Sequence, residues 1–137
     1  SKTELLSMIF KNAGQEPRFY QVTGQNEEEL RKVFEQETIT DVIHFAGLKS
    51  VGESVMYPER YQLFNVESSR VLLKLMKEFH VHNIVFSSSA TVYGVPEHVP
   101  CREDDKVGGC TNPYGQTKLD IEYLLKDYKI LHLIKIL

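Results

Sequence analysis

Tyr114-Gly115-Gln116-Thr117-Lys118 holds the sharpest chemistry in this sequence. On a helix, a Tyr and a Lys four positions apart share a face. A free phenol has a pKa of about 10 and is a poor base near neutrality. A neighbouring ammonium and a helix N-terminus both favour the phenolate, which makes the phenol a usable base. Alone, the pair is a weak signal that arises often by chance and reads first as a surface contact. A second stretch, Ser87-Ser88-Ser89-Ala90-Thr91-Val92-Tyr93-Gly94, changes that weighting, with Ser89 twenty-five residues before Tyr114. Three serines closing an apolar strand are polar for a core. They form either a turn whose hydroxyls bond local backbone, or a hydroxyl source beside Tyr114 for a substrate oxygen that loses its proton. In a third stretch, Phe45-Ala46-Gly47-Leu48-Lys49-Ser50-Val51-Gly52-Glu53-Ser54, small residues let a flat cofactor approach the backbone. Lys49 there reaches a diphosphate or a ribose, although the stretch by itself is also an ordinary strand-to-loop turn.

Strands and helices alternate around these three stretches. Arg18-Phe19-Tyr20-Gln21-Val22 predicts a short strand, and Glu27-Glu28-Glu29 opens a helix through Phe34 with acids where the helix dipole favours them. Thr40 to Ala46 predicts a compact β-branched strand. A long helix is expected from Pro58 to Phe79, with Tyr61, Phe64, Val71, Leu72, Leu75 and Met76 at helical spacing. Asn83 to Ser87 predicts a strand buried on both faces. Asn112 and Pro113 supply the N-cap and first-turn residue of a helix to about Tyr128, and Ile130 to Leu137 predicts a last strand. Such alternation implies an α/β fold with a parallel sheet and helices on both faces. Ligands then bind outside the carboxyl ends of the strands, just after Ala46 and just after Phe86.

Taken together, the three stretches and their spacing closely resemble the corresponding blocks of UDP-galactose (UDP-glucose) 4-epimerases, which are extended short-chain dehydrogenases/reductases. The resemblance runs from about Phe19 to Tyr128. It implies a Rossmann-type doubly wound parallel sheet, of which residues 1–137 form one partial NAD-binding domain of epimerase/dehydratase type. It implies NAD as cofactor and a UDP-hexose as substrate. Tyr114 becomes the catalytic base, Lys118 the residue holding the nicotinamide ribose, and Ser89 the partner of Tyr114. Phe45, Ala46, Gly47 and Lys49 line the NAD site with Tyr114 and Lys118. Lys49, Ser89, Ala90, Thr91 and Tyr114 face the sugar. The implied reaction inverts C4: Tyr114 takes the C4 hydroxyl proton as hydride passes to NAD, the 4-keto sugar rotates, and hydride returns to its other face.

The sequence also departs from the family. Its opening Gly-x-x-Gly-x-x-Gly turn, which offers backbone amides to the pyrophosphate, has no counterpart in these 137 residues. Nor is there the acidic residue after the second strand. Val22-Thr23-Gly24 stands where a third strand ends in Asp, and Gln62-Leu63-Phe64-Asn65 replaces Tyr-x-Asn-Asn, so Phe64 takes the place of a cofactor-contacting Asn. The C-terminal substrate domain has no counterpart either. A start at Ser1 rather than Met and a stop at Leu137 suit a fragment, a truncated isoform or a partial gene product. The sheet expected is thus incomplete, lacking its first two strands, and the chain alone is expected to be inactive.

Composition narrows the alternatives. Hydrophobic residues make up 42% and charged residues 26%, the balance of a folded soluble chain. A net charge of −3 and scattered Lys and Arg speak against nucleic acid. No apolar run approaches the ~20 residues of a membrane span, and residues Ser1 to Asn12 lack a signal-peptide pattern. Cys101 and Cys110 lack ligand-spaced histidines, so no metal site is expected, and reduced thiols in the cytoplasm fit them. His44 reads as an edge or core residue; His80, His82, His98 and His132 read as exposed. Competing functions are a 4,6-dehydratase, an epimerase for another nucleotide sugar such as a pentose, and a non-catalytic pseudoenzyme. Dehydratases resemble Thr-Asp-Glu where this chain has Ser89-Ala90-Thr91, and so hold carboxylates that are absent here. The full-length form is expected to be a homodimer.

Overall fold

Three parallel strands carry the architecture: β1 (Asp41–His44), β2 (Asn83–Ser87) and β3 (His132–Ile136), in the order β1-β2-β3. The computed structural model describes residues 14–15, 17–96, 98–128 and, as backbone, 132–136. The expectations for Ser1 to Asn12, and for the ends of the last strand at Ile130 and Leu137, lie outside them. Asp41 pairs with Asn83 and His44 with Phe86 in one ladder; Asn83 pairs with His132 and Ser87 with Ile136 in the other. Parallel pairing requires a crossover between strands, and helices supply it.

Local chemistry sets most helix ends. Asn26 caps α1 (Glu27–Gln36), its Oδ1 accepting from the Glu29 amide at 3.1 Å, with the three glutamates in the first turn. The stretch expected as a plain turn after β1 instead contains α2 (Val51–Met56). Ser50 caps it, Oγ accepting from the Glu53 amide at 3.3 Å. The long helix runs between nearly the expected limits, as α3 (Pro58–Tyr61), a π-helical segment Gln62–Glu67, and α4 (Ser68–Glu78). The wider π turn shifts the helical phase, so Phe64, expected on the core face, is exposed and lies beneath Arg60, while Asn65 and Val66 turn inward. Helix α5 (Pro113–Asp127) starts as predicted, with Asn112 Oδ1 accepting from the Gly115 amide at 2.8 Å.

One core joins the helices to the sheet. Leu73 and Met76 of α4 and Ile121 and Leu125 of α5 meet Ile84 and Phe86 of β2. Both crossovers step the same way along the sheet, and right-handed crossovers that step the same way leave their helices on one side. The expected cover on both faces is therefore not found among the described residues. Ile43, on the opposite face, is 67% exposed, and in β2 Val85 is only half-buried where Ile84 and Phe86 are buried.

The strand predicted at Arg18–Val22 also does not form. No strand lies beside it among the described residues, so its backbone has no ladder to join. Its side chains bind the end of α1 instead: Arg18 Nη1 reaches both Glu37 carboxylate oxygens at 2.8 and 2.7 Å, and the Tyr20 hydroxyl donates to the same carboxylate. Among the described residues, no helix is long and apolar enough to cross a membrane.

Candidate active site

The carboxyl end of β2 meets the N-terminal half of α5. Lys118, 5% exposed, donates from Nζ to the Ser87 carbonyl at 2.9 Å. The same Nζ lies 5.0 Å from the Phe86 ring centre and 5.9 Å from that of Tyr114. Tyr114 and Lys118 thus share a helix face, as their spacing requires. Burial pushes the Lys118 amine below its ordinary pKa, because a desolvated ammonium is costly. Against Phe86 also packs His44, with ring centres 5.6 Å apart. His44 is 7% exposed, and its Nε2 shares a hydrogen bond with Ser69 Oγ at 2.8 Å. Burial, and then the Lys118 charge, push its pKa down to about 4, so this imidazole is neutral at pH 7.

Ser89 caps the short 3₁₀ turn Ala90–Tyr93. Its Oγ accepts from the Thr91 amide at 3.3 Å and the Thr91 hydroxyl at 2.9 Å. With both lone pairs engaged, the Ser89 hydroxyl keeps its hydrogen for donation. The turn packs against the first turn of α5 at Gly115, where an added Cβ would stand 3.0–3.1 Å from Thr91 Oγ1, Cβ and backbone oxygen. That close approach brings the serine loop and the Tyr114 helix together. Ala90 is exposed, and neither Ala90 nor Thr91 supplies a carboxylate.

The loop after β1 is fastened from two sides. Asn65 Oδ1 accepts from the Leu48 amide at 2.7 Å, while its Nδ2 donates to the Leu48 carbonyl at 2.9 Å and to Thr117 Oγ1 at 3.2 Å. Gly47 has φ +153°, and a Cβ there would press within 3.1 Å of Asn65 Oδ1. Buried Tyr61 accepts from the Ser50 amide at 3.0 Å and donates to Glu53 at 3.1 Å. Buried Ser54 accepts from the Tyr114 amide at 3.1 Å. Phe45, Ala46, Gly47 and Lys49 stay exposed at the open end of β1. Asn65, Ser54 and Tyr61 are thus fasteners that sequence reasoning missed. Asn65 carried a signal: it keeps the second Asn of the family's Tyr-x-Asn-Asn pattern.

A family model described as GDP-mannose 4,6 dehydratase matches residues 2–136, nearly the whole chain. The chain belongs to the NAD-dependent epimerase/dehydratase family of extended short-chain dehydrogenases/reductases. Within this family it is homologous to UDP-glucose 4-epimerases over most of its length. It is 49% identical over 127 residues to the enzyme of Pasteurella multocida (strain Pm70), covering 93% of this chain and 38% of that one. The Homo sapiens enzyme is 42% identical over 127 residues, with 93% and 36% covered. Among solved structures, the UDP-glucose 4-epimerase of Bifidobacterium longum, in complex with NAD+ and UDP, superposes with a TM-score of 0.85 at 46% identity, covering 89% of this chain and 36% of that chain. The UDP-Glc/GlcNAc 4-epimerase of Campylobacter jejuni gives 0.87 at 26% identity, covering 98% and 42%. The chain spans little over a third of the curated relatives it matches.

Proposed function

We propose that the full-length protein carrying this chain interconverts UDP-glucose and UDP-galactose by oxidation and reduction at C4, with NAD held throughout. The observation that carries this reading is the joint placement of Tyr114 and Lys118 on one helix face, against the loop that presents Ser89. Tyr114 accepts the C4 hydroxyl proton and returns it after the sugar has turned. Ser89, whose oxygen already accepts twice, donates to the C4 oxygen and holds it beside Tyr114. Lys118, with one hydrogen spent on the Ser87 carbonyl, has hydrogens left for ribose hydroxyls.

The residues present fit the nicotinamide-ribose part of NAD. Gly47, at a φ of +153° that glycine adopts freely, leaves no Cβ on the exposed backbone after β1, and the buried Lys118 ammonium stands at the neighbouring strand end. Phe45, Ala46, Gly47 and Lys49 would hold it with Tyr114 and Lys118, and Lys49, Ala90 and Thr91 would face the sugar. Bound NAD supplies a reversible electron acceptor for C4. We also read the full-length form as a homodimer, supported by the exposed apolar side chains of Val55, Met56, Tyr57 and Leu63.

Although the matching family model is described by a dehydratase, elimination across C5 and C6 needs an added acid and base, and Ala90 and Thr91 offer neither. Incubation of the full-length protein with UDP-galactose tests the choice. UDP-glucose as product, with NAD retained, is the expected result; a 4-keto-6-deoxy sugar would overturn it.

A further inference from the structure

The proposed roles of Tyr114 and Lys118 leave one buried carboxylate on their helix without a task. Glu122 follows Lys118 by four residues, as Lys118 follows Tyr114, so the three share one face of α5. It is 2% exposed and lies between Ile121 and Leu125, both of which belong to the core. A buried carboxylate is costly unless bonded, and an apolar residue would serve packing at less cost. Its Oε1 accepts from Ser88 Oγ at 2.5 Å, and Ser88 is itself buried. Ser88 separates Ser87, whose carbonyl holds Lys118, from Ser89, whose oxygen accepts from Thr91. Two successive turns of α5 therefore grip two successive residues of the serine run.

We propose that Glu122 is a positioning residue, which through Ser88 sets the reach of the Ser89 hydroxyl toward the substrate oxygen beside Tyr114. The inference rests on the roles given above to Tyr114 and Ser89. Lys118 fixes the backbone at Ser87, and Glu122 fixes the rotation of the next residue. Without the second grip the loop pivots about the first. Ser89 then loses its alignment, while the Lys118 contact and the cofactor side of the site stay in place.

The test compares Glu122→Leu, Glu122→Gln, Ser88→Ala and the double variant Glu122→Leu/Ser88→Ala in the full-length holoenzyme, with Tyr114→Phe as control. Misplacement of a reacting group costs up to about 10²-fold. Glu122→Leu and Ser88→Ala should each lower kcat by on the order of 10- to 100-fold, with KM and bound NAD near parental values. The double variant should be no worse than either single. Gln keeps an acceptor for Ser88 and should recover most of the turnover. Hydrogen exchange should quicken at the Ser88 and Ser89 amides in the Leu variant and not in the Gln variant. Parental kcat in Glu122→Leu, additive losses in the double variant, or loss of bound NAD in step with turnover would each overturn the inference. If Tyr114→Phe keeps its turnover, the base lies elsewhere and the role given to Tyr114 fails instead, while a 4-keto-6-deoxy product from UDP-galactose would sink the proposed function, so the failures are distinguishable.

Discussion

Around Phe86, two nitrogen groups, His44 and Lys118, are desolvated together, and burial pushes the pKa of each down. His44 has its pKa lowered to about 4, whereas in the unfolded chain it returns to about 6.5. Between those values the unfolded chain binds a proton that the folded chain refuses. Stability is therefore full above pH 6.5 and is lost as the pH falls through 4. At ~1.4 kcal/mol per tenfold change in proton affinity, the loss amounts to about 3 kcal/mol. His44→Gln keeps a partner for Ser69 and removes the titration, so its denaturant midpoint should stay flatter across this window. Curves that run parallel would show that His44 does not take up a proton on unfolding. At the reacting centre, Tyr114→Phe in the full-length protein should lower turnover by ~10²–10⁴-fold, the usual contribution of a general base. NAD content should not change, and Ser89→Ala should lower turnover in the same way. Near-parental turnover in the Tyr114→Phe protein would place the base elsewhere.

Among the elements, those with their own local chemistry were legible in the sequence. Asn112-Pro113 announced α5, the run of glutamates announced α1, and Asn83–Ser87 matched β2 residue for residue. The helix α2 was missed, in a stretch that reads as a turn: its six residues are too short for periodicity to show, although Ser50-Val51-Gly52-Glu53 has the Ser-x-x-Glu capping pattern. What could not be read depends on other segments. Arg18–Val22 is strand-like in composition, yet a strand exists only through its neighbour. Phe64 fits a helical stripe until the π segment shifts the phase. The same limit applied to the site: Tyr114, Lys118 and Ser89 stood out by type and spacing, whereas Asn65, Ser54 and Glu122 matter through what they touch. Gly115 tests one such contact. Gly115→Ala gains up to about 1 kcal/mol of helix propensity, and less in a first turn. Pressing on Thr91 costs typically about 1–3 kcal/mol. Overpacking wins, so a net loss of about 1 kcal/mol is expected in thermal or denaturant unfolding, and turnover in the full-length protein should fall by at least about tenfold as the Ser89 turn is displaced. Unchanged turnover would mean that the turn tolerates the added methyl.

For the molecule taken whole, the 137 residues by themselves should neither bind NAD tightly nor turn over UDP-sugars. Two phosphate charges call for a cradle of backbone amides at a helix N-terminus, and no Gly-x-x-Gly-x-x-Gly turn occurs in this sequence. Lysines do not substitute for it. Lys118 is committed to the Ser87 carbonyl, and Lys49 stands exposed on the loop after β1. Alignment is the second requirement, because productive geometry must hold to about half an ångström. The described sheet has three strands with helices on one face, and Ile43 and Phe45 remain 67% and 61% exposed. An apolar strand left open at its edge also invites association with other chains. Contacts such as Asn65 to Thr117 and Lys118 to Ser87 hold the site locally, but nothing rigid backs β1 on its far side among the described residues. Isothermal titration of the purified 137-residue chain with NAD measures the first requirement, and turnover of UDP-galactose against a Tyr114→Phe control measures the second. Both should read blank. Micromolar NAD binding would mean that the strand ends alone suffice for the cofactor, and turnover above the control would mean that three strands already hold Tyr114, Lys118 and Ser89 in register.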